Sequence, residues 1–252
     1  MKLESINMQR ARKIMIIGLD GVPLNIIQRW TQAGQLPTLQ RLIGEGAVGQ
    51  LRSTVPPTSG PSWSSFVTGM NPGKTGIYDF LYRREGTYHF PPVNALQRGG
   101  TTVWRYLSDA GYRVGVLNLP MSYPVEQVNG FMVSGWMTPY SAADYVHPTE
   151  LAAELEQEVG EYRIYPTETF TEGRRDSFLQ ATYNLLDMRT RTALYLAGTR
   201  PWDLFTTVFF DTDRVLHQLW HYLDPDHSWR TDQKDREWIV REYFRKVDES
   251  IG

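Results

Sequence analysis

The sequence predicts an α/β fold: a mostly parallel sheet with helices on both faces. Two observations predict it. Short apolar runs of strand length, at Lys13 to Leu19, Phe131 to Ser134 and Leu204 to Phe210, read as strands buried in a parallel sheet. Between them lie longer stretches with apolar residues at helical spacing, punctuated by Pro and Gly, so strands and helices alternate along the chain. The 252 residues fit one domain, 1–252, with a core of its own.

The elements follow in order. Lys13 to Leu19 is rich in Ile and ends at Asp20-Gly21, which marks a buried strand and its turn. Pro23 opens a helix carrying Leu24, Ile27 and Trp30, and Gly34 stops it. A second helix follows Pro37, with Leu39 and Leu42 inward. Ala47 to Leu51 reads as a strand, and Ser53 to Gly60 as a turn-rich loop. Pro61 then opens a helix with Trp63, Phe66 and Val67 on its apolar side. Thr101 suits the N-cap of a helix that Gly111 closes, and Tyr112 to Leu117 alternates out as a strand. Residues 137–175, rich in Tyr, Pro, Thr and Glu, read as an inserted cap or substrate-side segment with one helix near Thr149 to Val159. A long helix through Phe178, Leu185 and Tyr195 leads to the strand at Leu204, and two helices come after it.

Composition removes several function classes. A formal net charge of −2 leaves no electrostatic footprint for nucleic acid or an anionic membrane, and the densest basic cluster, Arg10, Arg12 and Lys13, is too short for one. No apolar run approaches the roughly 20 residues of a membrane helix. The N-terminal apolar run passes straight into Asp20-Gly21 without a cleavage pattern, so it reads as a strand and not as a secretory signal. With no cysteine, any metal must be held by carboxylate, imidazole or hydroxyl ligands. The expectation is a cytoplasmic protein acting on a small molecule. Its oligomeric state is not legible.

Three places carry candidate chemistry, each just past an expected strand or opening a helix. Asp20 ends the first strand between two glycines, Gly18 and Gly21; an ordinary Asp-Gly turn is the competing reading. In Pro56-Pro57-Thr58-Ser59-Gly60-Pro61-Ser62-Trp63, hydroxyls precede a helix whose free N–H groups suit a phosphate, although plain N-capping by Thr58 or Ser59 competes. In Asp211-Thr212-Asp213-Arg214-Val215-Leu216-His217, Asp213 and His217 stand four apart. On a helix they share a face and can share a metal, with a solvated polar stripe continuing to His221 as the alternative. His89, His147 and His227 sit in loop-like contexts.

Taken in order, KIMIIGLDG, VPPTSGPSWSSFVTGMNPGKTGIYDF, TTVWRYLSDAGYRVGVLNLPMSYP and WDLFTTVFFDTDRVLHQLW resemble the alkaline phosphatase superfamily, in its type I phosphodiesterase and nucleotide pyrophosphatase branch. The resemblance implies a core with two divalent ions, zinc or manganese. Asp20 corresponds to the first-strand metal ligand, Ser59 to the metal-bridging nucleophile, and Asp213 with His217 to the ligands of the second ion. The implied reaction is hydrolysis of phosphodiesters or nucleotide pyrophosphates. A phosphomonoesterase or phosphomutase on the same core is the near alternative, and a non-catalytic binding domain the distant one. A Ser-His-Asp hydrolase is disfavoured by the lack of a Gly-x-Ser-x-Gly elbow. Ser62 falls three residues after the nucleophile, where the resemblance places a phosphate-contacting Asn. The resemblance further implies a later Asp-His-Gly strand and a further His that these residues do not contain. The expectation is therefore a fold incomplete on its C-terminal side and a chain inactive or very weak alone.

Overall fold

A computed structural model describes residues 13–171, 173–228 and 236–252; Arg10 and Arg12 lie outside them. Its sheet has five strands among the described residues: β1 (Ile14–Leu19), β2 (Val114–Leu119), β3 (Gly130–Ser134), β4 (Val146–His147) and β5 (Leu204–Phe209), in spatial order β1-β5-β2-β3-β4. All pairings are parallel except β3 with β4. β2 and β5 are buried at every position, as strands covered on both faces must be. β5, the last in sequence, inserts between β1 and β2, in register from Ile14 opposite Leu204 to Leu19 opposite Phe209. The C-terminal ends of β1 and β5 therefore open side by side.

Nine α-helices are found among the described residues: α1 (Leu24–Gln32), α2 (Pro37–Glu45), α3 (Ser59–Thr68), α4 (Pro72–Thr75), α5 (Val103–Asp109), α6 (Leu151–Glu158), α7 (Arg175–Thr199), α8 (Asp211–Leu219) and α9 (Glu237–Ile251). One part of the core joins α1, α7, α8 and α9 through Trp30, Phe178, Val215, Leu219 and Phe244. Another packs Val67 of α3 and Trp104 of α5 against Val114, Val116 and Val208 of the sheet. Segment 137–175 is anchored to the sheet by β4 and by Leu151 and Leu155, which pack with Leu117 and Phe131.

Five expectations need correction. Among the described residues β1 is paired on one side only, so Ile14 and Met15 are exposed and not buried. Residues 47–51 form no strand, because no neighbouring strand pairs with them; Leu51 is 92% exposed. Leu42 is exposed; of the two leucines expected to face inward, only Leu39 packs against the core. Thr102, not Thr101, caps α5, its hydroxyl accepting the Arg105 N–H. The helix over 59–68 also begins two residues before Pro61.

Two buried charged residues tie distant elements together. Asp248 of α9 is fully buried and accepts the backbone N–H groups of Thr38 (2.9 Å) and Leu39 (2.8 Å), supplying the cap that Leu36 cannot give α2. Arg189 of α7 pairs with Asp211 at the start of α8, both side chains 2% exposed, and also donates to the Ile164 carbonyl at 2.8 Å.

Asp248→Ala strands two backbone donors and is expected to lower stability by about 2 kcal/mol, with Asp248→Asn costing less. Urea denaturation reads both; an unchanged midpoint for the alanine variant would contradict the capping role. Arg189→Met leaves Asp211 buried with a weaker partner and is expected to cost about 3 kcal/mol. Adding Asp211→Asn to that variant should recover part of the loss.

Candidate active site

Asp20 follows directly from β1 and is 8% exposed. The Ser59 hydroxyl donates to it, 3.1 Å from one carboxylate oxygen and 3.3 Å from the other. Ser59 is the first residue of α3; the N-cap, Thr58, makes no side-chain capping bond. Neither hydroxyl is spent on the helix end, so the capping alternative does not describe this site. Ser59 instead presents its oxygen at a helix N-terminus whose backbone N–H groups carry partial positive charge. The Trp63 indole and the Gly21 backbone N–H add weaker electrostatic support to the ionised Asp20 carboxylate.

α8 begins immediately after β5, and its first turn supplies the second half of the site. Gly21 adopts φ +68°, and a Cβ there would lie 2.3 Å from Asp213 Oδ1 and 2.9 Å from its Cα. Only glycine lets the Asp20 turn and the α8 backbone come this close. The Thr212 hydroxyl lies 2.7 Å from the carbonyls of both Asp20 and Phe209, clasping the two strand ends. His217 Nε2 stands 3.4 Å from Asp213 Oδ1, with its ring 73% exposed. Ser59, Asp20, Asp213 and His217 thus form one continuous group. Ser62 does not join it: its hydroxyl lies 2.9 Å from that of Thr54. His221 packs its ring against Tyr222 and His227, and His147 Nε2 lies 3.1 Å from the Val128 carbonyl.

The electrostatics are those of a site short of positive charge. Burial, reinforced by the negative charge of Asp213, pushes the Asp20 carboxyl up to about 6 against the pull of the Ser59 hydroxyl, Trp63 and Gly21. Burial also raises Asp213, opposed by His217 and Arg214. Two carboxylates that each resist ionisation, flanked by a hydroxyl and an imidazole, are a donor set of oxygen and nitrogen that fits a divalent cation. Among the described residues no cluster of three or more His, Asp or Glu is close enough to hold one ion by itself. Asp20 with Ser59, and Asp213 with His217, would each offer two donor groups to such an ion.

Sequence reasoning did not single out Thr212, the polar edge of Trp63 or the buried Asp211. Trp63 lies one helical turn after Ser59, a spacing that signals a shared face. What distinguishes Thr212 and Asp211 is distant in sequence, the Asp20 carbonyl for the one and Arg189 of α7 for the other.

Comparison with known proteins places this geometry. Residues 14–252 match the family model described as type I phosphodiesterase / nucleotide pyrophosphatase. The fold is similar to that of phosphonoacetate hydrolase from Sinorhizobium meliloti 1021 in complex with phosphonoacetate, at 18% identity and a TM-score of 0.60, covering 96% of this chain and 52% of that one. It is also similar to an inactive variant of murine ectonucleotide pyrophosphatase / phosphodiesterase 5 in complex with AMP, at 12% identity and a TM-score of 0.56, covering 96% and 51%. The chain spans about half the length of these structures. No curated protein sequence matches it. With the family model matching nearly the whole chain, the protein belongs to the type I phosphodiesterase / nucleotide pyrophosphatase family.

Proposed function

We propose that this site hydrolyses phosphate esters, phosphodiesters or nucleotide pyrophosphates above all, with Ser59 as the nucleophile. The observation that carries the reading is the Ser59 hydroxyl bonded to Asp20 at the N-terminus of α3, beside Asp213 and His217. Asp20 and Ser59 would hold one divalent ion, zinc or manganese, and Asp213 and His217 the other. When bound, such ions lower the pKa of a coordinated hydroxyl and neutralise charge on a phosphoryl group. That the similar structures are complexes with AMP and with phosphonoacetate supports a small anionic phosphorus compound as substrate.

The chain's own residues divide the remaining work. Asp20 orients the Ser59 oxygen through a hydrogen bond, so the nucleophile does not rotate freely on its helix. The backbone N–H groups of the first α3 turn face the non-bridging phosphoryl oxygens and stabilise charge that grows there. The Ser59 oxygen gives its proton to solvent and bonds to phosphorus as the P–O bond to the leaving alkoxide breaks. That alkoxide takes a proton from water. A second water then cleaves the Ser59 ester, one of its protons returning to the Ser59 oxygen. Asp20 and Asp213 are unsuited to contact an anionic substrate directly, because two buried carboxylates repel it. Cation binding must therefore precede substrate binding. With two side chains per ion, cation affinity is expected to be weak.

Assays on p-nitrophenyl phosphate and bis(p-nitrophenyl) phosphate with millimolar zinc or manganese test this reading. Ser59→Ala should lower the rate about 1,000-fold or more, and chelation should abolish it. Hydrolysis that survives Ser59→Ala unchanged would remove Ser59 from the mechanism.

A stability measurement probes the same charges without turnover. The Asp20 carboxyl lies at about 6 in the fold against 3.8 for its ordinary value. Between those pH values the folded state binds more protons than the unfolded one, so its stability falls as pH rises. In metal-free buffer the fall attributable to Asp20 should reach up to about 3 kcal/mol by neutral pH. Asp20→Asn should flatten that part of the profile in urea titrations at pH 4 to 7. Parallel profiles for the two proteins would contradict the assignment.

A further inference from the structure

Three aromatic rings from three distant segments meet beside the site. Phe80 lies on Gly60, the residue after Ser59: a Cβ on Gly60 would stand 3.3 Å from Phe80 Cδ1 and 3.4 Å from Cε1. Trp136 meets Phe80 at a right angle, with ring centroids 4.7 Å apart. Its ring also stacks on Phe210, 4.9 Å away and tilted by 13°. Phe210 directly precedes α8, and its carbonyl accepts the Asp213 N–H at 3.1 Å. The aromatic bridge therefore runs from the turn that carries Ser59 to the turn that carries Asp213.

Trp136 is held there at a cost to the backbone. Gly135 approaches β2 so closely that a Cβ would lie 2.4 Å from the Leu119 carbonyl oxygen. The Trp136 carbonyl accepts the Met121 N–H at 3.0 Å. Met137 and Met121 adopt φ +78° and +62°, left-handed conformations that residues other than glycine seldom take. Backbone of this kind persists where its surroundings dictate it, and it gathers at functional sites. Behind the bridge, Phe80 and Met137 pack around Ile77, Val93 and Met121, so the backing is apolar. Phe210 is buried, whereas Phe80 and Trp136 keep part of their surface in solvent.

We propose that Phe80 and Trp136 form the wall against which the substrate lays a flat, uncharged ester group, with Trp136 as the specificity-determining residue. This rests on the reading of the site as a phosphate-ester hydrolase given above, and it narrows the substrates to phosphodiesters bearing an aryl or similarly flat group. A phosphorus atom within reach of the Ser59 oxygen has its substituents beside this wall, since Phe80 covers the next residue of α3. The rings favour flat apolar area and offer no cation to a charged substituent.

Binding of two inert phosphorus anions to the unaltered chain in zinc-containing buffer tests this. Diphenylphosphinate and dimethylphosphinate carry the same charge, have no ester bond to break, and differ only in their substituents. The sequence holds eight tryptophans, and Trp136→Phe identifies the Trp136 indole signal in a proton–nitrogen correlation spectrum by its loss. Diphenylphosphinate should shift that signal and bind about 10-fold more tightly than dimethylphosphinate, from aromatic contact and buried apolar area. Trp136→Ala should remove that preference while leaving dimethylphosphinate affinity unchanged, a result that general loosening of the fold would not give. Trp136→Phe, which keeps a flat ring, should retain most of the preference. Met137→Gly, which frees the backbone that places Trp136, should weaken diphenylphosphinate alone. Thermal melts check that each variant is folded. A Trp136→Ala protein whose two affinities stay unchanged or fall together would reduce Trp136 to packing and overturn the proposal. So would an indole signal that ignores bound diphenylphosphinate. If neither anion binds the unaltered chain, the hydrolytic reading of the site falls first and the wall with it.

Discussion

The parallel pairing of β1 with β5 is the constraint from which the site follows. The two strands are separated by most of the chain, yet Leu19 sits opposite Phe209, so the residues that follow each strand emerge together. A slip of one residue would turn alternate side chains to the opposite face and separate Asp20 from the α8 turn. Several contacts hold the register at this end. Thr212 reaches both strand carbonyls, and Gly21 admits Asp213 where any Cβ would collide. The tight packing is local and polar, and it lies at the strand ends where ligands of open α/β sheets are bound.

Charge is arranged in two layers beneath this edge. In the outer layer Asp20 and Asp213 oppose one another, with the largely exposed His217 beside Asp213. In the inner layer Asp211 is flanked by Arg189 and Arg214, so positive charge exceeds negative there. Arg214 belongs to both layers: it bonds Asp211 at 3.1 Å and its charge partly relieves Asp213. Breaking the inner layer would therefore disturb the outer one through Arg214 and the start of α8, without any change in the ligands. Arg189 extends the linkage to segment 137–175 by its bond to Ile164.

What could be read from the sequence was what local pattern carries. The apolar runs of β1 and β5, the prolines and glycines around α1 and α3, and the four-residue spacing of Asp213 and His217 all appear as expected. Misreadings arose where a partner decides the outcome. Residues 47–51 have strand-like composition but nothing to pair with, and β1 has strand composition on both sides but a neighbour on one. Trp63 packs on the apolar side of α3 as its spacing suggests, with its ring against Gly18. Ser62, one helical turn from Ser59, is engaged with Thr54, a partner that local pattern does not reveal.

The same features that make this site usable make it costly to the bare fold. Three rigid ends, those of β1, β5 and α3, hold Asp20, Asp213 and Ser59, so little rearrangement is needed when a ligand arrives. Holding two carboxylates in a buried place raises the protonation of Asp20 well above its ordinary value, which is free energy taken from stability at neutral pH. An apolar residue at either position would relieve that strain. The sequence retains both acids, Asp20 backed by the Ser59 hydroxyl and Asp213 by the charges of His217 and Arg214. Under the proposed reading, a cation bound to the native state alone would restore what the repulsion removes. Stability and function would then be coupled with opposite signs in the bare chain and with the same sign in the cation-bound one.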